Sequence, residues 1–264
     1  MPTSLVNFKM LPLLTPAEVL VLLHGKNANF KELIKMTLMD LLLRKVLAVK
    51  LVSAADATDE PMNQLLVQRG ARYADYRPLA HEEIYTIHFA IQANREILFA
   101  NLIKLARLMG ANDIYLRRKI MKTPQMRTAF KQGFWANLTD KVQYTQEGLL
   151  KRTYAATELQ ELTNMLPELY EADKATVVQL LQLMHGNIFL TNAVEHRLLM
   201  LLDDELSRLF HQEQSSAADI DELFYMTEAF NFESSFDDGF DSGGSDGDSS
   251  DGGGDSGCGG GCSG

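Results

Sequence analysis

The feature that most constrains this chain is the helical spacing of its apolar residues, which continues with short breaks from Thr15 to about Asn231. Apolar residues that recur every three or four positions form one stripe on each helix, and packing the stripes together buries a core. The chain has 264 residues, 46% of them hydrophobic, which is enough for one large core or two smaller ones. The sequence therefore predicts a mainly α protein.

Two capped helices are predicted near the start of the chain. Thr15 and Glu18 form a capping box, and the helix that they begin should end at Gly25. Asn29 supplies the same kind of cap for a second helix, which should run through Leu43. Side-chain caps satisfy backbone N–H groups that the first helical turn leaves without partners, so they fix where each helix begins.

A hairpin is predicted after these two helices. The valine-rich segment 46–52 has the composition of a strand, and residues 64–68 can return as its antiparallel partner. Two helices followed by a short hairpin is the element order of a small winged-helix-like unit. We therefore expect such a unit over residues 1–76.

The region 77–230 is expected to be helical, and its elements permit a second winged-helix-like unit. Apolar periodicity and capping residues predict helices over residues 84–91, 97–109, 112–120 and 123–133, and then an extended piece at 142–145 before another helix. Further helices are expected over residues 177–184, 194–209 and 220–230.

Residues 231–264 are dominated by Gly, Ser and Asp and are predicted to be a disordered acidic tail, because they are too poor in apolar groups to offset the entropy of ordering. No Lys or Arg follows Arg208, and twelve of the 35 acidic residues lie beyond Ala217. The net charge of -10 therefore belongs to the C-terminal part, and the preceding body is close to neutral.

The most distinctive charge feature of the body is the stretch 114–135, which has basic residues interleaved with aromatic ones and no acidic residue. On helices this stretch could present a basic surface to phosphates, with aromatic rings available for stacking. The alternative is a solvated helical face above core aromatics. The candidate anion- or nucleic-acid-binding residues are Arg117, Arg118, Lys119, Lys122, Arg127 and Lys131.

The tail carries the opposite pattern, in which Phe232, Phe236 and Phe240 alternate with acidic residues. Acidic and aromatic segments of this kind dock on basic or apolar grooves. We hypothesise that the tail folds back on the basic stretch and competes with an anionic partner, since tethering on one chain gives a high effective concentration. The alternative is a tail that only adds solubility.

Metal and cofactor signals are weak. Cys258 and Cys262 could supply two thiolates, but two ligands do not complete a tetrahedral zinc site. His81 and His88, with Glu82 nearby, could begin a metal site, and surface histidines explain them equally well. No cofactor is predicted.

The sequence also lacks the patterns of the common enzyme and membrane classes. It shows neither a glycine-rich phosphate loop after a strand nor a nucleophile elbow, although a site assembled from distant residues stays open. Its apolar runs are shorter than the roughly 18 residues that a membrane-spanning helix needs. We therefore expect a soluble, cytoplasmic protein that does not insert into membranes.

The capped helices and strand over Thr15–Val52, taken with the segment GGSDGDSSDGGGDSGCGGGCSG at 243–264, resemble a group of uncharacterised bacterial proteins. Those proteins pair an N-terminal winged-helix-like segment with a Gly- and Cys-rich C-terminus. The resemblance covers roughly a quarter of the chain and implies a winged-helix-like fold near its start. It implies no activity and no functional residue.

Two functions are compatible with these patterns. The first is a non-enzymatic interaction protein that contacts another macromolecule, in the first place a protein, through its helical surface and its acidic Phe-containing tail. The alternative is a nucleic-acid-binding regulator that uses the basic helices 112–133 and is autoinhibited by the tail.

Overall fold

The computed structural model describes residues 8–55, 61–131, 142–172 and 174–191, together with Phe236 and Phe240. This part of the chain is mainly helical with a small antiparallel sheet, which confirms the mainly α prediction. Its helices are α1 (Pro16–His24), α2 (Phe30–Leu43), α3 (Glu83–Thr86), α4 (Phe99–Gly110), α5 (Asp113–Met121), α6 (Gln146–Ala172) and α7 (Lys174–Met184).

Both predicted N-terminal caps are present. The Thr15 hydroxyl accepts a hydrogen bond from the Glu18 backbone N–H at 3.3 Å, and the Glu18 carboxylate accepts one from the Thr15 N–H at 2.8 Å. The Asn29 side chain accepts from the Glu32 N–H at 3.3 Å. The first helix ends at Gly25 as expected, with a φ of 57° that favours glycine.

The predicted hairpin is also present and is longer than expected. Strand β1 (Leu47–Ala55) pairs antiparallel with β2 (Pro61–Arg69), and Val49 lies opposite Val67. A third strand, β3 (Ile97–Leu98), pairs with the other edge of β2. The sheet order is therefore β1-β2-β3, and its third strand comes from beyond residue 76.

Two predicted helices are shorter than expected. The helix expected over 97–109 begins only at Phe99, because its first two residues form β3. The helix expected over 84–91 ends at Thr86 and continues as a 3-10 turn over Ile87–Phe89. The Arg69 guanidinium donates hydrogen bonds to the carbonyls of Phe89 and Ala90, so the chain leaves the helix with these acceptors satisfied.

The predicted helix over 123–133 is wrong for the part that the structure describes. Residues 123–129 form successive tight turns, in which the Met126 N–H donates to the Thr123 carbonyl at 3.1 Å. Phe130 then pairs with Tyr144 in an isolated antiparallel bridge, and the two rings lie 5.1 Å apart. This tertiary contact overrides local helical preference, and it confirms the extended piece predicted at 142–145.

The helix predicted over 177–184 is confirmed as part of α7, which continues into a 3-10 helix over His185–Leu190. The helices predicted over 194–209 and 220–230 lie outside the described residues. So does the predicted tail, except for Phe236 and Phe240, which are both in helical conformation.

The apolar side chains form one core that joins the two predicted regions. Leu38 of α2, Val67 of β2, Leu102 of α4 and Leu162 of α6 are all fully buried within it. None of the described helices combines the length and the apolar character that crossing a membrane requires.

Candidate functional site

Phe236 and Phe240 pack on the body of the protein, and Phe240 contacts helices α2 and α4. Phe236 is fully buried, and its ring stacks on that of Phe240 with centroids 6.1 Å apart and an interplanar angle of 15°. The Phe240 ring in turn meets Phe30 of α2 edge-on, with centroids 6.0 Å apart at 60°. Such edge-on and stacked pairs add to the free energy of burying the rings.

Two cations complete this contact. The Arg107 guanidinium donates a hydrogen bond to the Phe240 carbonyl at 2.6 Å, and its Cζ lies 5.1 Å from the centroid of the Phe240 ring. The Lys31 Nζ lies 5.7 Å from the same centroid. Both distances are within the range of cation–π attraction. We call the patch formed by Phe30, Lys31 and Arg107 the α2–α4 surface.

The local sequence explains how this surface forms. Asn29 caps α2, so Phe30 and Lys31 occupy its first turn and project at the end of the helix. Gly110 ends α4 beside them, and a Cβ at this position would lie 3.0 Å from two atoms of the Phe30 ring. The missing side chain at Gly110 therefore lets α4 approach the Phe30 ring closely.

The charges around the contact are complementary. Lys31 and Lys35 lie one turn apart on α2, and Lys104 and Arg107 lie three residues apart on α4, so each pair shares a helix face. In the sequence, four acidic residues lie within three positions of Phe236 or Phe240, namely Glu233, Asp237, Asp238 and Asp241. A basic surface thus holds the aromatic residues of the most acidic part of the chain.

The basic stretch predicted as an anion site does not form one exposed surface. Arg117 is only 3% exposed, and its guanidinium makes an ion pair of 2.8 Å with Asp113. Lys119 is half-buried, with its Nζ 5.0 Å from the centroid of the Tyr115 ring. Arg117 is therefore removed from the surface that a ligand could reach.

The remaining members of the stretch are more accessible. Lys122, Arg127 and Lys131 are exposed, and Arg118 is half-buried. The contacts of Phe240 described above are with α2 and α4, so the tail fold-back onto residues 117–131 stays a prediction. Phe232, Cys258 and Cys262 lie outside the described residues.

A buried ionisable cluster, which the sequence did not reveal, links α2 to the segment before α3. Asp40 and Arg44 form an ion pair of 3.0 Å, and the Arg44 guanidinium donates to the Tyr76 hydroxyl at 3.4 Å. The Tyr76 hydroxyl donates to the Glu82 carboxylate at 2.9 Å. Asp40 also accepts from the Gly186 N–H at 2.9 Å. The only sequence signal was the charge of Asp40 within an apolar run.

Burial shifts the acidity of this cluster. It raises the pKa of Glu82 to about 7 and raises the pKa of Asp40 above its ordinary value. The neighbouring His81 is fully buried, and burial, together with the charges of Arg44 and Lys119, lowers its pKa to about 3. Its Nε2 lies 3.4 Å from the Thr15 hydroxyl, so the predicted start of a metal site is instead a neutral core histidine.

The ionisable groups of this cluster bind one another inside the core. The cluster therefore holds α2 against the segment before α3 and against the 3-10 helix His185–Leu190. Within the described ranges, no group of three His, Cys, Asp or Glu side chains is placed to hold a metal ion. The α2–α4 surface is the place where the described structure shows the body holding a separate, charged segment. It is therefore the candidate functional site.

No family model matches this chain, and no similar protein was found among curated proteins or solved structures. The function must accordingly be argued from the geometry of the chain itself.

Proposed function

We propose that this is a non-enzymatic interaction protein whose helical body and acidic, Phe-containing tail contact another macromolecule, in the first place a protein. The observation that carries the proposal is the contact of Phe240 with the α2–α4 surface, with the buried Phe236 stacked on its ring. Buried aromatic anchors flanked by cations are typical of protein recognition sites. The body therefore has a surface suited to an acidic aromatic segment.

A second surface supports a protein partner. Leu149, Leu150 and Tyr154, in the first turns of α6, are 51%, 56% and 58% exposed. Exposed apolar side chains that cluster on one element are a feature of interaction sites. Contacts at α6 would leave the α2–α4 surface available for a separate ligand.

The N-terminal helices and hairpin have the element order of a winged-helix-like unit. We propose that α1, α2 and the β1–β2 hairpin act as a winged-helix-like unit, with the hairpin as its wing. Their order along the chain and the resemblance to bacterial proteins with such a segment support this. A cytoplasmic location is part of the same proposal.

The test of the proposed function is affinity capture from cells that naturally make the protein, with the full chain and its Phe236→Ala/Phe240→Ala variant as baits. We expect a reproducible set of proteins, identified by mass spectrometry, whose yields differ between the two baits. Arg77→Ala, which changes an exposed residue outside both candidate surfaces, serves as the matched control. The proposal fails if neither bait retains proteins beyond an empty matrix.

The second candidate is a nucleic-acid-binding regulator that uses residues 112–133 and is autoinhibited by the tail. The exposure of Lys122, Arg127 and Lys131 favours it. Gel-shift titrations with duplex DNA and single-stranded RNA at several salt concentrations test this function. Replacing all three residues by Gln should weaken binding and reduce the salt slope by about three, since each phosphate contact contributes about one.

Autoinhibition is tested in the same titrations. Phe236→Ala/Phe240→Ala should strengthen binding if the tail competes with nucleic acid. Lack of binding by both chains at low salt would remove this candidate.

A further inference from the structure

The α2–α4 surface has a charge pattern that works against the helix that carries it. Lys31 lies in the first turn of α2, where the helix dipole is unfavourable to a positive charge. Lys35 follows one turn later, and like charges at this spacing repel. Binding an acidic ligand offsets both effects.

The seated residues define what the surface recognises. Phe236 and Phe240 are four residues apart, each is in helical conformation, and their rings stack on each other. Pairs of apolar anchors at this spacing are the usual mode in which a short amphipathic helix is recognised by a groove. The acidic residues Asp237, Asp238 and Asp241 surround the second anchor in the sequence.

Phe236 and Phe240 differ in how deeply they are buried. Phe236 is fully buried, whereas Phe240 is half-buried although Phe30, Lys31 and Arg107 all contact it. The cationic end of the contact is therefore open to solvent, and a competing segment can approach there first. Such a segment would meet Lys31 and Arg107 before it has to displace Phe236.

We propose that the α2–α4 surface is a receptor for an acidic helical segment with a Phe-x-x-x-Phe pair in a partner protein. The chain's own tail occupies the surface in cis and is displaced when that segment binds. This inference rests on the proposed interaction function and names the chemistry of the partner.

The length of the intervening chain sets the strength of the competition. Forty-four residues separate Thr191 from Phe236. Tethering on one chain raises the effective concentration, with about 1 mM as the upper value, reached by short flexible linkers. If the intrinsic Kd of the segment is on the order of 100 µM, the tail weakens binding in trans about tenfold. A partner segment of moderately higher affinity can therefore displace the tail.

The test uses a fluorescein-labelled peptide with the sequence of residues 230–242 and measures its fluorescence anisotropy with the full chain. We expect weak binding to the wild type and about tenfold tighter binding to Phe236→Ala/Phe240→Ala. Phe240→Ala alone, which changes the half-exposed ring, should give an intermediate result. Phe240→Ala leaves the buried Phe236 side chain in place, so its effect on peptide binding can be read even if loss of Phe236 lowers stability.

Specificity is tested in the Phe236→Ala/Phe240→Ala background. Adding Arg107→Ala should weaken peptide binding at least fivefold, whereas Arg77→Ala removes the same kind of side chain at an exposed position outside both proposed surfaces and should leave it unchanged. A peptide with both Phe residues replaced by Ala should not bind. Equal binding to wild type and double variant, or equal effects of Arg107→Ala and Arg77→Ala, would overturn the proposal.

Two further outcomes separate this inference from the proposed function. A dimer of the wild type in sedimentation that the double variant lacks would show that the surface holds the tail of a second copy, which overturns a partner segment. If affinity capture retains proteins but the peptide fails to bind the double variant, the receptor assignment fails and the interaction function stands. If capture retains none, the interaction function fails.

Discussion

At the scale of residues, Glu158 shows how backbone hydrogen bonds stabilise a buried charged side chain. Its carboxylate accepts hydrogen bonds from the backbone N–H groups of Lys9, Met10 and Leu11 at 2.8–3.0 Å, and the residue is 7% exposed. Hydrogen bonds to an ionised acceptor are stronger than those between neutral groups. This side chain therefore attaches the N-terminal segment to α6.

Glu158→Gln should lower the free energy of unfolding by about 1–3 kcal/mol, because the amide has one acceptor oxygen and leaves buried N–H groups unsatisfied. Urea denaturation measures the change. The control is Glu161→Gln, an exposed position on the same helix, which should stay within about 0.5 kcal/mol of the wild type. Equal effects of the two substitutions would contradict the role given to Glu158.

Glu82 and His81 should make opposite contributions to stability as pH changes. The pKa of Glu82 rises from 4.5 to about 7 on folding, so between these values the folded state holds more protons and rising pH lowers stability. The pKa of His81 falls from 6.5 to about 3, so between these values the unfolded state holds more protons and rising pH raises stability. The two effects oppose each other between pH 4.5 and 6.5.

Glu82→Gln removes the loss of stability that ionisation of Glu82 causes as pH rises. The difference in unfolding free energy between this variant and the wild type should therefore grow by about 3 kcal/mol in favour of the variant from pH 4 to pH 8. Denaturation midpoints across this range measure the difference. Glu83→Gln, at the exposed neighbouring position, should follow the wild-type curve. A Glu82→Gln curve parallel to that of the wild type would show that Glu82 does not titrate as described.

At the scale of elements, the caps were predictable because they depend on residues three positions apart. Thr15→Ala should destabilise the protein by about 1–2 kcal/mol, since it removes the acceptor for the Glu18 N–H at the start of α1. Thermal unfolding, monitored by circular dichroism, measures this loss of stability. Thr15→Ser keeps the hydroxyl and should retain most of the stability. If both substitutions have the same effect, the cap does not stabilise α1.

The hairpin was predictable for a similar reason, because its composition and alternation are local. The missed elements depend on distant partners. Ile97 and Leu98 continue a helical pattern in sequence and become a strand only because β2 offers an edge. Phe130 leaves its expected helix to pair with Tyr144. Neither partner can be identified from single-sequence periodicity.

At the scale of the whole molecule, Phe240, whose neighbours in the sequence are acidic, contacts the near-neutral body at the α2–α4 surface. The alternation of Phe and acidic residues in the tail was visible in the sequence, but the surface that Phe240 contacts was not. Lys31 and Arg107 are 76 positions apart on different helices, whereas the sequence drew attention to the denser basic stretch that contains Arg117. Folding buries Arg117 and brings the two separate cations together.

The most direct test of the tail-docking account is the nuclear Overhauser effect between the rings of Phe30 and Phe240 in the full chain with isotopically labelled phenylalanine. Ring centroids 6.0 Å apart place edge protons of one ring near the other, so a cross-peak is expected, and Phe240→Leu should abolish it. A wild-type spectrum without that cross-peak, in which the Phe240 signals match those of the free 230–242 peptide, would contradict the account.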